Sequence, residues 1–193
     1  MSDFFKHFVS LRSQSSCIFF PTGNLNNWWE FETFAKFLNK TRCVIQQYGN
    51  YSVDSLGINL NGITTQGENI ADNGGIKEAY RAYRKLQLYP RKIIFFFITN
   101  FLLFVERWEQ RHGTEKRLPG LSMNTKQLFW MTAANVWCSK YRPKSLESRV
   151  RTGAHSPGMF RVKGPFSNSK EFANDFNCPL GSTYNPVDKC EVW

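Results

Sequence analysis

Histidine is scarce in this chain: three in 193 residues, His7, His112 and His155. No His-Glu-x-x-His helix is present, so the sequence holds no ready-made histidine pair for a metal ion. Cys-x-x-Cys is also missing, which excludes a zinc ribbon and a thioredoxin-type redox site. The five cysteines, Cys17, Cys43, Cys138, Cys178 and Cys190, are widely spaced, and at least one is left over after pairing. No run of five like charges, RNA-recognition signature or basic zipper accompanies the formal net charge of +10. Scattered charge of this kind reads as the basic surface of a soluble or secreted domain, and no nucleic-acid partner is expected. The longest uncharged apolar run, 93–105, has thirteen residues and is too short for a comfortable membrane span. Residues 1–20 carry Lys6 and Arg12 inside their Phe-rich pieces and offer no cleavage site, so no export signal is legible. No internal repeat or low-complexity tract occurs.

What is present is a globular composition. Hydrophobic residues make up 41% and aromatics 16%, with 18 Phe and 6 Trp, enough for one domain with a sizeable core. Two sequons, at Asn39 and Asn50, together with the spread cysteines favour an oxidising, extracellular setting.

Hydrophobic spacing predicts a helix over 26–38, capped by Asn26 or Asn27 and extending towards Gln47, with Trp28, Trp29 and Phe34 in the core. Residues 48–66 read as loop with a short strand. A second helix is expected from Glu68, with Ile76, Ala79, Tyr80 and Tyr83 as its buried stripe. Further helices are expected over 126–137, 144–152 and 169–176, the last capped by Ser169. His155 to Gly158 reads as a loop, 160–164 as extended, and 178–193 as loop.

The segment 67–75, Gly-Glu-Asn-Ile-Ala-Asp-Asn-Gly-Gly, carries the most chemistry. Glu68 and Asp72 are four residues apart, so a helix places both carboxylates on one face. Downstream, His155 and Arg161 supply an imidazole and a guanidinium suited to the same site. Taken alone each has a plainer reading. Acids in a first helical turn complement the helix dipole, and a lone His or Arg is more often a hydrogen-bonding or surface residue.

An ordered series of short motifs extends these residues. It comprises Gly23-Asn24-Leu25-Asn26-Asn27-Trp28-Trp29, Gln47-Tyr48-Gly49-Asn50-Tyr51, Leu60-Asn61-Gly62, the 67–75 segment, Ala79-Tyr80-Arg81-Ala82-Tyr83 and Leu118-Pro119-Gly120-Leu121. Val136-Trp137-Cys138, Tyr141-Arg142-Pro143, His155-Ser156-Pro157-Gly158-Met159-Phe160-Arg161 and Cys190-Glu191-Val192-Trp193 complete it. In this order they resemble the C-terminal part of the neprilysin and endothelin-converting-enzyme family of zinc metallopeptidases. The resemblance implies a mainly α fold, the incomplete C-terminal helical part of a zincin-type, thermolysin-like domain with few short strands. It covers 23–193, with 1–22 an unmatched leader and 86–107 an unmatched hydrophobic insert.

The family hydrolyses peptide bonds of oligopeptides with zinc-activated water, and the resemblance assigns roles residue by residue. Glu68 is the carboxylate zinc ligand, and Asp72 the acid that would orient a ligating histidine. His155 is the donor to the developing oxyanion. Arg161 holds a substrate carbonyl, and Val136 and Trp137 line the side-chain pocket after the cleaved bond. Cys43 pairs with Cys190. One zinc ion, peptide substrates and a cell-surface or secreted ectodomain follow, with the membrane met only through an N-terminal anchor outside this chain and no oligomeric state implied. The chain departs from the family in lacking the His-Glu-x-x-His helix, so a peptidase without activity by itself is expected. The alternative is a truncated pseudopeptidase acting by binding, or a gene model retaining an intron, since the insert is Phe- and Ile-rich as translated T-rich DNA would be. A third reading is a small membrane-associated protein using 93–105.

Overall fold

The computed structural model describes residues 29–87 and 117–193. Helix α1 spans Phe31–Gly49 and buries Phe37, Thr41, Val44 and Tyr48, a stripe at helical spacing. Its start is Glu30, later than the expected Asn26 or Asn27. A minimal hairpin follows. Strand β1, Ser52–Val53, pairs antiparallel with β2, Ile58–Asn59, in the register Ser52↔Asn59 and Val53↔Ile58. Gly57 closes the turn with φ +62°, a backbone conformation that side chains disfavour.

Helix α2, Gly62–Gln87, is the spine of the fold. It begins six residues before Glu68, because the Asn61 side chain accepts hydrogen bonds from the Ile63 and Thr64 N–H groups at 3.1 and 3.0 Å. The glycines and β-branched residues of 62–67 hide this start from periodicity. Gly62 itself lies against the Ile45 carbonyl of α1, where any Cβ would overlap. Of the expected stripe, Tyr80 is buried and Ile76 and Tyr83 are half-buried, whereas Ala79 faces solvent.

Helix α3, Thr125–Asn135, opens with a reciprocal Asn124–Gln127 capping box. Helix α4, Pro143–Thr152, follows a short link. Helix α5, Gly158–Asn168, overturns the extended assignment of 160–164. Gly164 and Pro165 argue against helix by propensity, but Phe160, Arg161, Phe166 and Ser167 are all buried there, and tertiary packing outweighs propensity. Helix α6, Lys170–Asp175, is capped by the Ser169 hydroxyl, as expected.

Two apolar clusters hold these elements. One joins α1, the hairpin, α2, Val150, Phe160 and Cys190, with Trp29 and Phe34 packed half-buried at its edge. The other centres on Trp130, Tyr80 and Phe166. Asp175 accepts hydrogen bonds from the Trp130 indole at 2.8 Å and the Tyr80 hydroxyl at 2.5 Å, tying α3, α2 and α6 together. A disulfide between Cys43 and Cys190 fastens the C-terminal segment to α1. Cys138 and Cys178 are free, the former exposed. No helix among the described residues is long and apolar enough to cross a membrane. The leader 1–22, Cys17, His7, His112, Trp28 and the apolar run 93–105 lie outside the described residues, and α2 runs through the first two positions of the expected insert.

Candidate active site

The long α2 places Glu68 and Asp72 on one face, one turn apart. Helix α5 lies across that face and delivers Arg161 between them. The Arg161 guanidinium meets Asp72 twice, Nε to Oδ2 at 2.5 Å and Nη2 to Oδ1 at 2.7 Å, and the same Nη2 is 3.5 Å from Glu68 Oε2. Asp72 and Arg161 are 3% and 8% exposed, so this fork-on-carboxylate pair is withdrawn from water. From the loop before α5, His155 brings Nε2 to 3.2 Å from Glu68 Oε2, with 48% of its side chain exposed. Glu68 thus stands between a buried guanidinium and an accessible imidazole. It lies in the second turn of α2 or beyond, which removes the helix-dipole explanation for it.

A buried polar chain positions the His155 loop. Ser156 Oγ donates to Asn69 Oδ1 at 2.8 Å, and Asn69 Nδ2 donates to Thr65 Oγ1 at 2.8 Å. The Thr65 hydroxyl in turn donates to the Asn61 carbonyl at 2.8 Å. Asn69 and Ser156 are almost fully buried, so this chain is the seam between loop and helix. Neither residue was singled out from sequence; the only signal was that each sits inside a motif segment beside a residue that was.

Trp137, just past α3, lies under the Arg161 guanidinium at 3.9 Å from its ring centroid. Gly158 permits this arrangement, because a Cβ there would collide with the Trp137 carbonyl and the Ser139 hydroxyl. The structure therefore brings Glu68, Asp72, His155, Arg161 and Trp137 together. Val136, the residue before Trp137, is 64% exposed. Asn39 and Asn50 are exposed, on α1 and just after it.

Electrostatics of the surroundings follow from burial. Burial pushes the Tyr48 hydroxyl well above its ordinary pKa, and the nearby Asp72 charge adds to the shift. Burial raises Tyr141 as well, but hydrogen bonds from Ser139 and the Gly158 N–H, with the Arg149 and Arg161 charges, leave it lowered overall.

As a metal site the donor set is incomplete. Among the described residues no three His, Cys, Asp or Glu side chains come within reach of one ion. Asp72 is committed to Arg161, leaving Glu68 with a single imidazole neighbour. These residues by themselves do not fit a zinc ion, which takes three or four protein ligands.

The sequence model of peptidase family M13 matches residues 13–192. This chain belongs to peptidase family M13. Neprilysin-2 of Drosophila melanogaster is 51% identical over 171 residues, covering 89% of this chain and 19% of the fly protein. Endothelin-converting enzyme 1 of Bos taurus is 44% identical over 171 residues, again 89% of this chain and 20% of the relative. This M13 chain therefore spans about a fifth of the length of the curated relatives it matches. Among solved structures, the Haemonchus galactose containing glycoprotein complex aligns with TM-score 0.75 and 30% identity, over 98% of this chain and 28% of that one. The Mycobacterium tuberculosis zinc metalloprotease Zmp1 in complex with inhibitor aligns with TM-score 0.71 and 22% identity, over 92% of this chain and 24% of that one, a likeness of fold. The expected neprilysin and endothelin-converting-enzyme family and the mainly α, partial zincin-type fold are both found in this M13 chain.

Proposed function

We propose that this chain is the peptide-docking part of a neprilysin-type zinc metalloendopeptidase and has no peptidase activity by itself. The observation that carries the reading is the convergence of Glu68, Asp72 and Arg161 from two helices with His155 from a loop. Arg161 spends Nε and Nη2 on the two acids, and Nη1 is left to donate to a peptide carbonyl. His155 is exposed enough to donate to a substrate oxygen, and Glu68 fixes its direction. Trp137 and Val136 offer apolar surface to a hydrophobic side chain after the cleaved bond. In a longer relative Glu68 would be one carboxylate ligand of the zinc ion, whose chemistry is to activate water. No step of the docking role passes through that ion.

The setting proposed is extracellular, with any membrane attachment through an anchor outside this chain. The Cys43–Cys190 bond and the exposed sequons support it. The domain reading has 23–193 as the C-terminal portion of the peptidase domain and 86–107 as intron-derived. An abundant transcript carrying 86–107 in frame defeats that origin.

The activity test uses the purified chain, zinc and a quenched peptide. No cleavage is expected. Cleavage that disappears on Glu68→Gln overturns the reading. A truncated pseudopeptidase acting by binding alone is the second reading, favoured by the single imidazole beside Glu68, and equilibrium dialysis tests it: zinc bound more tightly by the chain than by its Glu68→Gln variant would keep Glu68 a metal ligand and defeat this second reading.

A further inference from the structure

A second polar group gathers on α4. Ser145, Ser148, Arg149 and Thr152 follow i, i+3, i+4, i+7 spacing and so share one face of the helix. With Gly153 and His155 they line an open cavity of about 360 Å³. Two serine hydroxyls, a guanidinium and an imidazole are among its lining groups, and no carboxylate is, while the Thr152 hydroxyl is spent on the Ser148 carbonyl at 2.8 Å. The one acid of α4, Glu147, is taken by Arg151 at 2.9 Å. Arg149 forms no ion pair with a described carboxylate, and its Nε is withdrawn from water without an acceptor. Its guanidinium carbon lies over the Tyr141 ring at 5.4 Å from the centroid, a cation–π contact that steadies the side chain. Around it, 138–153 carries Lys140, Arg142, Lys144 and Arg151 against Glu147 alone, a local positive field.

Hydroxyls and a guanidinium around a cavity free of acids are the donors an oxyanion needs. The cavity also shares His155 with the active-site cluster, since the same imidazole lies 3.2 Å from Glu68. A ligand reaching both sites has only one side chain to cross. We infer that the Arg149 cavity is a subsite for the carboxylate of an acidic residue in a peptide lying against Glu68, His155 and Arg161. The inference rests on the peptide-docking reading above and names its substrate class: peptides with an acidic residue close to the cleaved bond. An arginine that merely packs on Tyr141 would show no preference for such peptides.

The test is calorimetric titration of the full chain at low salt with N-acetylated, C-amidated Phe-Glu-Phe and Phe-Gln-Phe, and separately with inorganic phosphate. The Glu peptide is expected to bind about tenfold more tightly than the Gln peptide, the loss of one charge-assisted contact. Arg149→Gln should abolish the difference, Arg149→Lys should keep part of it, and Arg151→Gln should leave it intact. Arg161→Gln should weaken both peptides in parallel. Equal binding of the two peptides to the unmodified chain overturns the subsite and leaves the docking reading standing. Binding of neither defeats the docking reading and the subsite together. A preference that survives Arg149→Gln overturns the residue assignment. Phosphate bound through Arg149 as tightly as the Glu peptide makes this a site for free oxyanions and overturns the peptide assignment.

Discussion

Arg161 and Asp72 form a bidentate pair across the α2–α5 seam, with Nε–Oδ2 at 2.5 Å and Nη2–Oδ1 at 2.7 Å, and both side chains are nearly out of contact with water. A buried ion pair of this kind is weak as a net source of stability but costly to break on one side, because the survivor is a stranded charge. Asp72→Ala is therefore expected to lower unfolding stability by about 3–5 kcal/mol. The double variant Asp72→Ala/Arg161→Met should recover much of that loss, since both charges go. Chemical denaturation of the three proteins checks it; a double variant as unstable as Asp72→Ala would show that the pair acts through shape rather than charge.

The Cys43–Cys190 bond closes a loop with a sequence separation of 147 residues. Constraint of the unfolded chain on that scale contributes about 5 kcal/mol in the chain-entropy model. Cys43→Ser, or reduction by dithiothreitol, is expected to lower the midpoint of urea unfolding sharply and to free the segment around Cys190 for proteolysis. Unchanged protease sensitivity after reduction would mean that packing of Val192 and Trp193 on α1 holds the segment unaided.

What could be read in the sequence was what local chemistry marks. Ser169 announces its helix because a hydroxyl there accepts the Phe172 N–H at 3.0 Å, and Tyr80 sits where helical spacing puts it. The i, i+4 spacing of Glu68 and Asp72 was legible for the same reason. Partners across the fold were not. Nothing near Arg161 in sequence says that Asp72 receives it, nor that Trp137 lies beneath it. The helical state of 160–164 was hidden by Gly164 and Pro165, whose propensities lose to burial against Tyr48. Asn69 and Ser156 escaped because a buried amide–hydroxyl link has no sequence spacing of its own.

Two buried tyrosines make the fold sensitive to alkali. Burial, then the Asp72 charge, raises the Tyr48 hydroxyl, and burial with the Asp175 hydrogen bond raises Tyr80, both above the ordinary tyrosine value of 10.0. A group whose folded pKa is raised contributes stability that is fully present below its unfolded pKa and is lost as pH rises towards the folded value. Stability should thus be level up to about pH 10 and fall above it. Tyr80→Phe should flatten part of that fall. Phenolate absorbance followed against pH, beside circular dichroism, checks the order: ionisation of these tyrosines ahead of unfolding would contradict it.

Gly158 gives the last prediction. A Cβ at this position meets the Trp137 carbonyl and lies 2.7 Å from the Ser139 hydroxyl, so backbone must move to admit it. Overpacking of a rigid contact costs about 1–3 kcal/mol. Gly158→Ala is expected to lower stability by that order and to push Trp137 away from the Arg161 guanidinium that now lies 3.9 Å above its ring. Loss of that contact should change the Trp137 emission and weaken peptide binding, while Gly75→Ala, where a Cβ meets open space, should do neither. A Gly158→Ala protein with unaltered tryptophan emission and full peptide affinity would show that the seam between α3 and α5 yields without disturbing the site.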